Sequence, residues 1–531
     1  MERMKERLIN VRYEEGGISA ELGVRSNCNM FEPNTDIPYF AVISSVDGNK
    51  KVIVEFSDTE NVVDSADYEI SANKNCVISG EFKGKKNGVY TLSFHIEGLD
   101  VPLSFNVGVV PKSKRAKDSF YFGVQPYLCN TYASPNYRVK YQGKEESWDS
   151  IIATINFLGS NLIREDGVSW TASQPSQEAD YDHSLMGRFV DMTEENDIVL
   201  LWILGSPAKW AIMDKYKNSE HPGWSLPPEA GLWDNRMRSI AKNYKGRKKL
   251  FYEIWNEADW EFFNGTEEEY IDLLNRSCRI IREEDPEAFI IPSALVSSWE
   301  TDQKPGFAKN SIKYYSAYKP LLENGSINAL NIHDHAWFIP EKFLASVDRK
   351  NGYLKRAGFE NGMPKGVFNT EAGIWTEDEQ MQARMLMNKI LWYRANDFKA
   401  YVAYDFRDYH DTGSKWPIFT STLEPKPAAI AYTVLIGMLG QKEYSASIPT
   451  NSNYVFADIY SDSEGSVVPF FAFPDVKAEL KIISDKKYKA YDIYGNPITD
   501  IENGRVKAGE SAIYLVFEDQ VDLCEFEVDL Q

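Results

Sequence analysis

The chain has 531 residues, more than one ordinary domain uses and enough for about three, although a single barrel alone takes about 250. Its 43% hydrophobic and 26% charged residues suit a globular protein, and a net charge of -21 with no basic footprint argues against nucleic acid as a partner. No run of 18 apolar residues occurs, which excludes a spanning helix and leaves no membrane partner to expect.

The N-terminus, Met1 to Arg7, is charged and is not followed by an apolar stretch, so as written it carries no signal peptide. That places the chain in the cytoplasm, or in a secreted or periplasmic setting if a leader has been trimmed. The cysteines Cys28, Cys76, Cys129, Cys278 and Cys524 are scattered, without a CxxC pair or a Cys/His cluster, so neither a disulfide framework nor a structural zinc site is expected.

From about residue 8 to 110, short alternating strands (Tyr39 to Ser44, Lys51 to Phe56, Cys76 to Phe82, Gly88 to Ile96) are separated by turns such as Asp47-Gly48-Asn49. This predicts an immunoglobulin-like β-sandwich over 1–116. The apolar-poor segment Pro111 to Asp118 has the composition of a linker.

The rhythm then changes to strand, loop, helix. Strands are predicted at Phe120 to Val124, Asn161 to Arg164, Ile198 to Ile203, Leu250 to Trp255, Phe289 to Ile291, Ala329 to His333, Gly366 to Asn369 and Ala400 to Tyr404. Helices fall near Ser147 to Leu158, Ser184 to Asn196, Trp233 to Tyr244, Thr266 to Glu284, Ser311 to Glu323, Glu341 to Ala357, Asp378 to Ala395 and Ala428 to Leu439. This alternation over 117–440 is that of a (β/α)8 TIM barrel, in the α/β class. Short alternating strands return after Gly440 and predict a C-terminal β-sandwich over 441–531. No internal repeat is present. The flanking sandwiches are compatible with walling the barrel mouth, with stabilising the barrel, or with building a homo-oligomer.

Strand ends of such a barrel converge on one face, so polar residues there are site candidates. The set is Arg164 and Glu165 after the second strand, Asn256 and Glu257 after the fourth, His333 and His335 at the sixth, Glu371 after the seventh, and Asp405 and Arg407 after the eighth. No phosphate-cradling glycine loop competes with them, and no cofactor is expected.

Two of these ends lie in motifs. Trp255-Asn256-Glu257-Ala258-Asp259 on strand four and Phe368-Asn369-Thr370-Glu371-Ala372-Gly373 on strand seven resemble the paired signatures of glycoside hydrolase clan A, the retaining (β/α)8 glycosidases. The resemblance runs over roughly residues 119 to 440, and with flanking sandwiches the layout looks closest to family thirty-nine. It implies hydrolysis of a β-linked glycoside or an α-L-arabinofuranoside, with an oligosaccharide or glycoside as substrate, Glu257 as acid/base and Glu371 as nucleophile. It further implies that Asn256 would hold the sugar 2-hydroxyl and that Arg164 would hold Glu371 ionised. His335 first and His333 second would touch the nucleophile or the sugar. Trp337, Trp375 and, more loosely, Trp260 would stack on sugar faces, and Asp405 or Arg407 would contact the substrate.

The chain departs from the clan pattern twice. Ala258 stands where a proline usually follows the acid, which bears on the loop's shape, and Tyr404-Asp405 stands where strand eight often ends in tryptophan. Two readings from other classes compete. One is a carbohydrate-binding barrel without turnover, the other a metal-dependent hydrolase using His333 and His335, which strand alternation points the same way. With no third ligand signalled nearby, no metal is expected.

Overall fold

A computed structural model of the chain describes residues 8–129, 144–297, 311–408, 413–499 and 501–531. At its centre is an eight-stranded parallel sheet: Tyr121–Val124, Leu162–Glu165, Val199–Leu204, Leu250–Ile254, Phe289–Pro292, Asn331–His333, Phe368–Ala372 and Ala400–Ala403, each paired with its neighbour in the sequence except the fifth with the sixth, and the first with the eighth. A bridge between Leu295 and Ile332 joins the fifth strand's extension to the sixth and closes the barrel. All eight predicted strands and eight predicted helices are present, displaced by a few residues at their ends.

The strands read as nearly continuous apolar runs because both faces are covered. Leu200, Trp202, Leu204, Tyr252 and Ile254 face the helices and belong to the large outer core, whereas Leu162, Leu201, Phe251, Phe368 and Val402 fill the barrel interior. Towards the strands' C-terminal ends the inward positions become polar: Arg164, Glu253, Asn331 and Thr370 are all buried. The barrel is therefore plugged by hydrocarbon below and by an ionic layer above, and that layer is the floor of the site.

The N-terminal region forms a four-stranded antiparallel sheet and a five-stranded mixed sheet that share one apolar core. Five of its strands, Leu8–Glu15, Ile18–Val24, Met30–Phe31, Val62–Ile70 and Leu103–Val109, lie outside those expected from alternation. The predicted linker is a docked strap: Ser113 and Ala116 are buried, the Ser113 N–H donates to the Phe157 carbonyl at 3.1 Å, and its hydroxyl donates to the Thr433 carbonyl at 2.6 Å. The C-terminal region is a six-stranded sheet against a three-stranded one. In the strand Gly465–Ala472 every residue is buried. Its Val467 and Phe471 join the barrel's outer core, while Val468, Phe470 and Ala472 join the core between the two C-terminal sheets. No helix among the described residues is long and apolar enough to cross a membrane.

Candidate active site

The fourth strand ends in a turn with Trp255 at φ 72° and Glu257 at φ 42°. Both lie in the left-handed region that side chains other than glycine avoid, at about 1–3 kcal/mol each. The turn is held from outside. The Ala258 N–H donates to Ser293 Oγ at 2.9 Å, and the Tyr314 hydroxyl donates to the Ala258 carbonyl at 3.1 Å. Asp259 accepts from the N–H groups of Val296 and Ser297 and from the Ser311 hydroxyl. A proline at 258 has no N–H to give Ser293. The departure from the clan motif thus has a local use: alanine supplies a bond that fixes the loop.

Arg164 organises the floor. All of its N–H groups are engaged: Nε and Nη2 form a bidentate pair with Glu253 at 2.7 and 3.1 Å, Nη1 donates to Gln125 Oε1 at 2.9 Å and to Glu371 Oε2 at 2.7 Å, and Nη2 also donates to Asn256 Oδ1 at 2.6 Å. With its side-chain oxygen held, Asn256 turns its amide N–H group free of that bond, and it lines a cavity of about 640 Å³ together with Arg164, Glu371 and Tyr404.

The two histidines divide the glutamates between them. His333 Nδ1 lies 2.7 Å from Glu257 Oε1 and its Nε2 lies 3.1 Å from Thr370 Oγ1, so it serves the fourth strand's carboxyl and is fully buried away from any sugar. His335 Nε2 lies 3.4 Å from Glu371 Oε1, the contact expected of it.

The glutamates' ionisation is driven apart. Burial, and then the charge of Glu371, raises Glu257 well above the usual carboxylate range. Burial works against ionised Glu371 too, but the Arg164 guanidinium 2.7 Å away and the contact with His335 outweigh it and hold this carboxyl below that range, while the charge of His333 would add to them only where that ring is protonated. Burial pushes His333 down to about 3, so it is neutral at physiological pH, and the permanent cation among these partners is Arg164. One oxygen of Glu257, one of Glu371 and a ring nitrogen of His335 lie within 4.8 Å of one another.

Other expected contacts fall elsewhere. Trp337 packs at the start of the helix Pro340–Arg356 with the Lys342 ammonium 4.5 Å over its ring, and Trp375 is 49% exposed on the loop after strand seven; neither lines the cavity. Asp405 is 4% exposed, its carboxylate accepts from the Phe406 N–H at 2.6 Å, and burial raises it well above the carboxylate range. Trp260 and Arg407 are likewise absent from the cavity wall.

Three residues had not been singled out. Trp416 lies edge-on to His335, ring centroids 5.0 Å apart, and 5.9 Å from Tyr404; it comes from a loop without periodicity, which gives no signal. Glu253 does have one, a charge at an inward position of an apolar strand. The third is Lys389, buried on the helix Glu379–Ala395, whose Nζ donates to the carbonyls of Asp334 at 2.6 Å and Ala336 at 2.8 Å, the two peptides flanking His335. Asp334 in turn accepts from the Tyr393 hydroxyl at 2.6 Å, and its N–H donates to the Glu371 carbonyl at 3.2 Å. Lys389→Met is therefore expected to destabilise the fold by about 3 kcal/mol, because Asp334 stays buried with less compensation, and to lower kcat by releasing His335. A denaturant midpoint shifted at constant slope checks the first. An unchanged kcat in a destabilised variant would detach Lys389 from the site.

No family model matches the chain, and no curated protein does. Solved structures do. The chain is similar to a family 39 glycoside hydrolase from the gut symbiont Bacteroides cellulosilyticus WH2, at 15% identity and a TM-score of 0.65, over 93% of this chain and 100% of that one. Weaker likenesses join it to a GH30 endoxylanase from Clostridium papyrosolvens C71, at 10% identity and a TM-score of 0.47 over 77% and 98% of the two chains, and to xylanase 10B from Thermotoga maritima, at 16% and 0.40 over 60% and 94%. At such identities the first likeness establishes architecture: the fold is a (β/α)8 barrel between β-rich flanks, in an arrangement that a solved glycoside hydrolase shares.

Proposed function

We propose that the chain is a retaining glycoside hydrolase that cleaves a β-linked glycoside or an α-L-arabinofuranoside through a covalent glycosyl-enzyme. The observation that carries this reading is the pair Glu257 and Glu371, with an oxygen of each within 4.8 Å and their ionisation driven in opposite directions. Retention needs carboxyl groups about 5–5.5 Å apart, whereas inversion leaves room for a water at about 6.5–9.5 Å.

In this reading ionised Glu371 attacks the anomeric carbon as Glu257 gives its proton to the leaving oxygen. Water then displaces Glu371 from the sugar, losing a proton to Glu257. Thr370 gives its one hydroxyl hydrogen to Asn331 Oδ1 at 2.9 Å, so neutral His333 carries its hydrogen on Nε2 towards Thr370, and its bare Nδ1 accepts from protonated Glu257 and holds the acid in place. Asn256, oriented by Arg164, offers its amide to the 2-hydroxyl, a bond that strengthens in the transition state. The domain limits 1–116, 117–440 and 441–531 belong to the same reading, with the flanks as support.

A metal-dependent reading has one observation behind it, the convergence of Glu257, His335 and Glu371. It loses the histidine pair, because both nitrogens of His333 are taken by Glu257 and Thr370. A cation there would also sit against the Arg164 guanidinium, 2.7 Å from Glu371.

The test is a panel of aryl β-glycosides and α-L-arabinofuranosides with graded leaving groups, run on wild type and Glu257→Ala with and without chelator. Glu257→Ala is expected to lose about 10²–10⁴-fold on poor leaving groups and far less on activated ones, which need no acid. A loss that ignores the leaving group, or activity abolished by chelator, would overturn the assignment; a wild type that binds sugars but cleaves none would favour the carbohydrate-binding barrel.

A further inference from the structure

One charge in the cavity has no role in the chemistry above. Arg236, on the helix Ala230–Asn243, is 3% exposed yet lines the same cavity as Glu371, Asn256 and Arg164. Its Nη1 donates to the Gly205 carbonyl at 2.8 Å, and its guanidinium stands 4.7 Å over the ring of Trp170 and 5.3 Å from that of Trp233. Nε makes no hydrogen bond of good geometry, and the one polar side chain that acts on this guanidinium is the neighbouring Tyr181 hydroxyl, a neutral group.

This differs from every other charge around the cavity floor. Arg164 is balanced by Glu253 and Glu371, whereas no described carboxylate acts on Arg236, not even the exposed Asp166 on the same cavity wall. A guanidinium keeps its proton at physiological pH, so a buried one without a counter-charge is costly. Tryptophan faces offset part of that. An anion carried in by the ligand would offset the rest and would meet a planar fork suited to carboxylate or sulfate.

Position narrows the ligand. Gly205, which anchors Arg236, follows the third strand, and Glu371 ends the seventh. In a closed ring of eight these stand opposite each other. A group that reaches Arg236 while Glu371 attacks belongs to a second unit of the ligand.

We infer that Arg236 is a recognition point for a carboxylate or sulfate on the sugar unit adjoining the one that Glu371 attacks, which makes the substrate an acidic β-linked oligosaccharide. The inference rests on the glycosidase reading for the word substrate, but not for the binding of the anion.

The experiment uses matched β-linked oligosaccharides whose adjoining unit is neutral, a uronate or sulfated, with wild type, Arg236→Met and Arg236→Lys. Wild type is expected to favour one acidic form by about tenfold or more in kcat/KM, mostly through KM. Arg236→Met loses that preference, its rate on the acidic form falling much further than its rate on the neutral form, and Arg236→Lys keeps part of it. The uronate and sulfate arms tell which anion is read. Equal wild-type rates on neutral and acidic forms, or a Met variant that loses both alike, would overturn the proposal and leave Arg236 as a prop for the Gly205 turn. If Arg236→Met does not fold, the Lys variant and the salt dependence of the wild-type preference carry the test. If nothing in the panel is cleaved, the glycosidase reading is what fails. Calorimetry of the same oligosaccharides then decides for Arg236: salt-sensitive preference for the acidic form supports it, and equal or absent binding refutes it.

Discussion

Glu371→Ala is expected to lower kcat by about 10⁴–10⁶-fold on any glycoside the wild type cleaves, and azide is expected to restore turnover while forming a glycosyl azide of inverted anomeric configuration. The size of the loss follows from the role: removing a nucleophile leaves only positioning and the acid. The product's configuration is the sharper readout. Alanine at 371 opens the face from which Glu371 attacks, and azide entering there inverts the centre once where the enzyme inverts it twice. Turnover largely retained in Glu371→Ala would remove this residue from the chemistry, and azide products of retained configuration would place the nucleophile elsewhere.

Arg164→Met is the second large effect, and it acts on stability and on pH together. Glu253 is fully buried and Glu371 nearly so, and both lose their shared cation, which is expected to cost about 3–5 kcal/mol. The sign of the pH effect follows from direction. Glu371 is held below its unfolded value of about 4.3, so its ionised form contributes stability that is present above that pH and is lost as pH falls through the depressed value. Without Arg164 the folded value rises, the loss begins at higher pH, and the acidic limb of the kcat/KM profile moves up. Glu257 runs the other way: its raised value gives stability that is full at low pH and disappears as pH climbs through it, which sets the alkaline limb. A destabilised Arg164→Met with an unmoved acidic limb would make the arginine a scaffold only.

Much of this was legible in the residues because the barrel repeats one signal eight times. Alternating apolar strands and amphipathic helices survive errors of a residue or two, and the strand ends then list themselves. Glu257, Glu371, Asn256, Arg164 and both histidines were reachable that way, since each lies in the last residues of its own strand or within three residues of its end. Which histidine serves which glutamate was not, because alternation gives a face and not a partner. Trp416 and Arg236 were out of reach for different reasons: one arrives on an irregular loop, and the other is on a helix, where a lone arginine reads as a solvated charge. Trp337 and Trp375 show the converse error. An aromatic near a motif in sequence is displaced quickly by a helix start or a loop, and Asp405 turns to a backbone N–H one residue away.

The strand Gly465–Ala472 gives one side chain in two to each of two cores. It is a party wall, and a party wall cannot be taken down from one side. A chain ending at Leu439 would leave the barrel without Val467 and Phe471 and bare the outer faces of its own helices, and the last ninety or so residues cut loose would face water with the same stripe. The C-terminal sheets are therefore not an appendage that a shorter relative of this chain sheds freely: any descendant that dispensed with them would first have had to rebuild the barrel's outer surface.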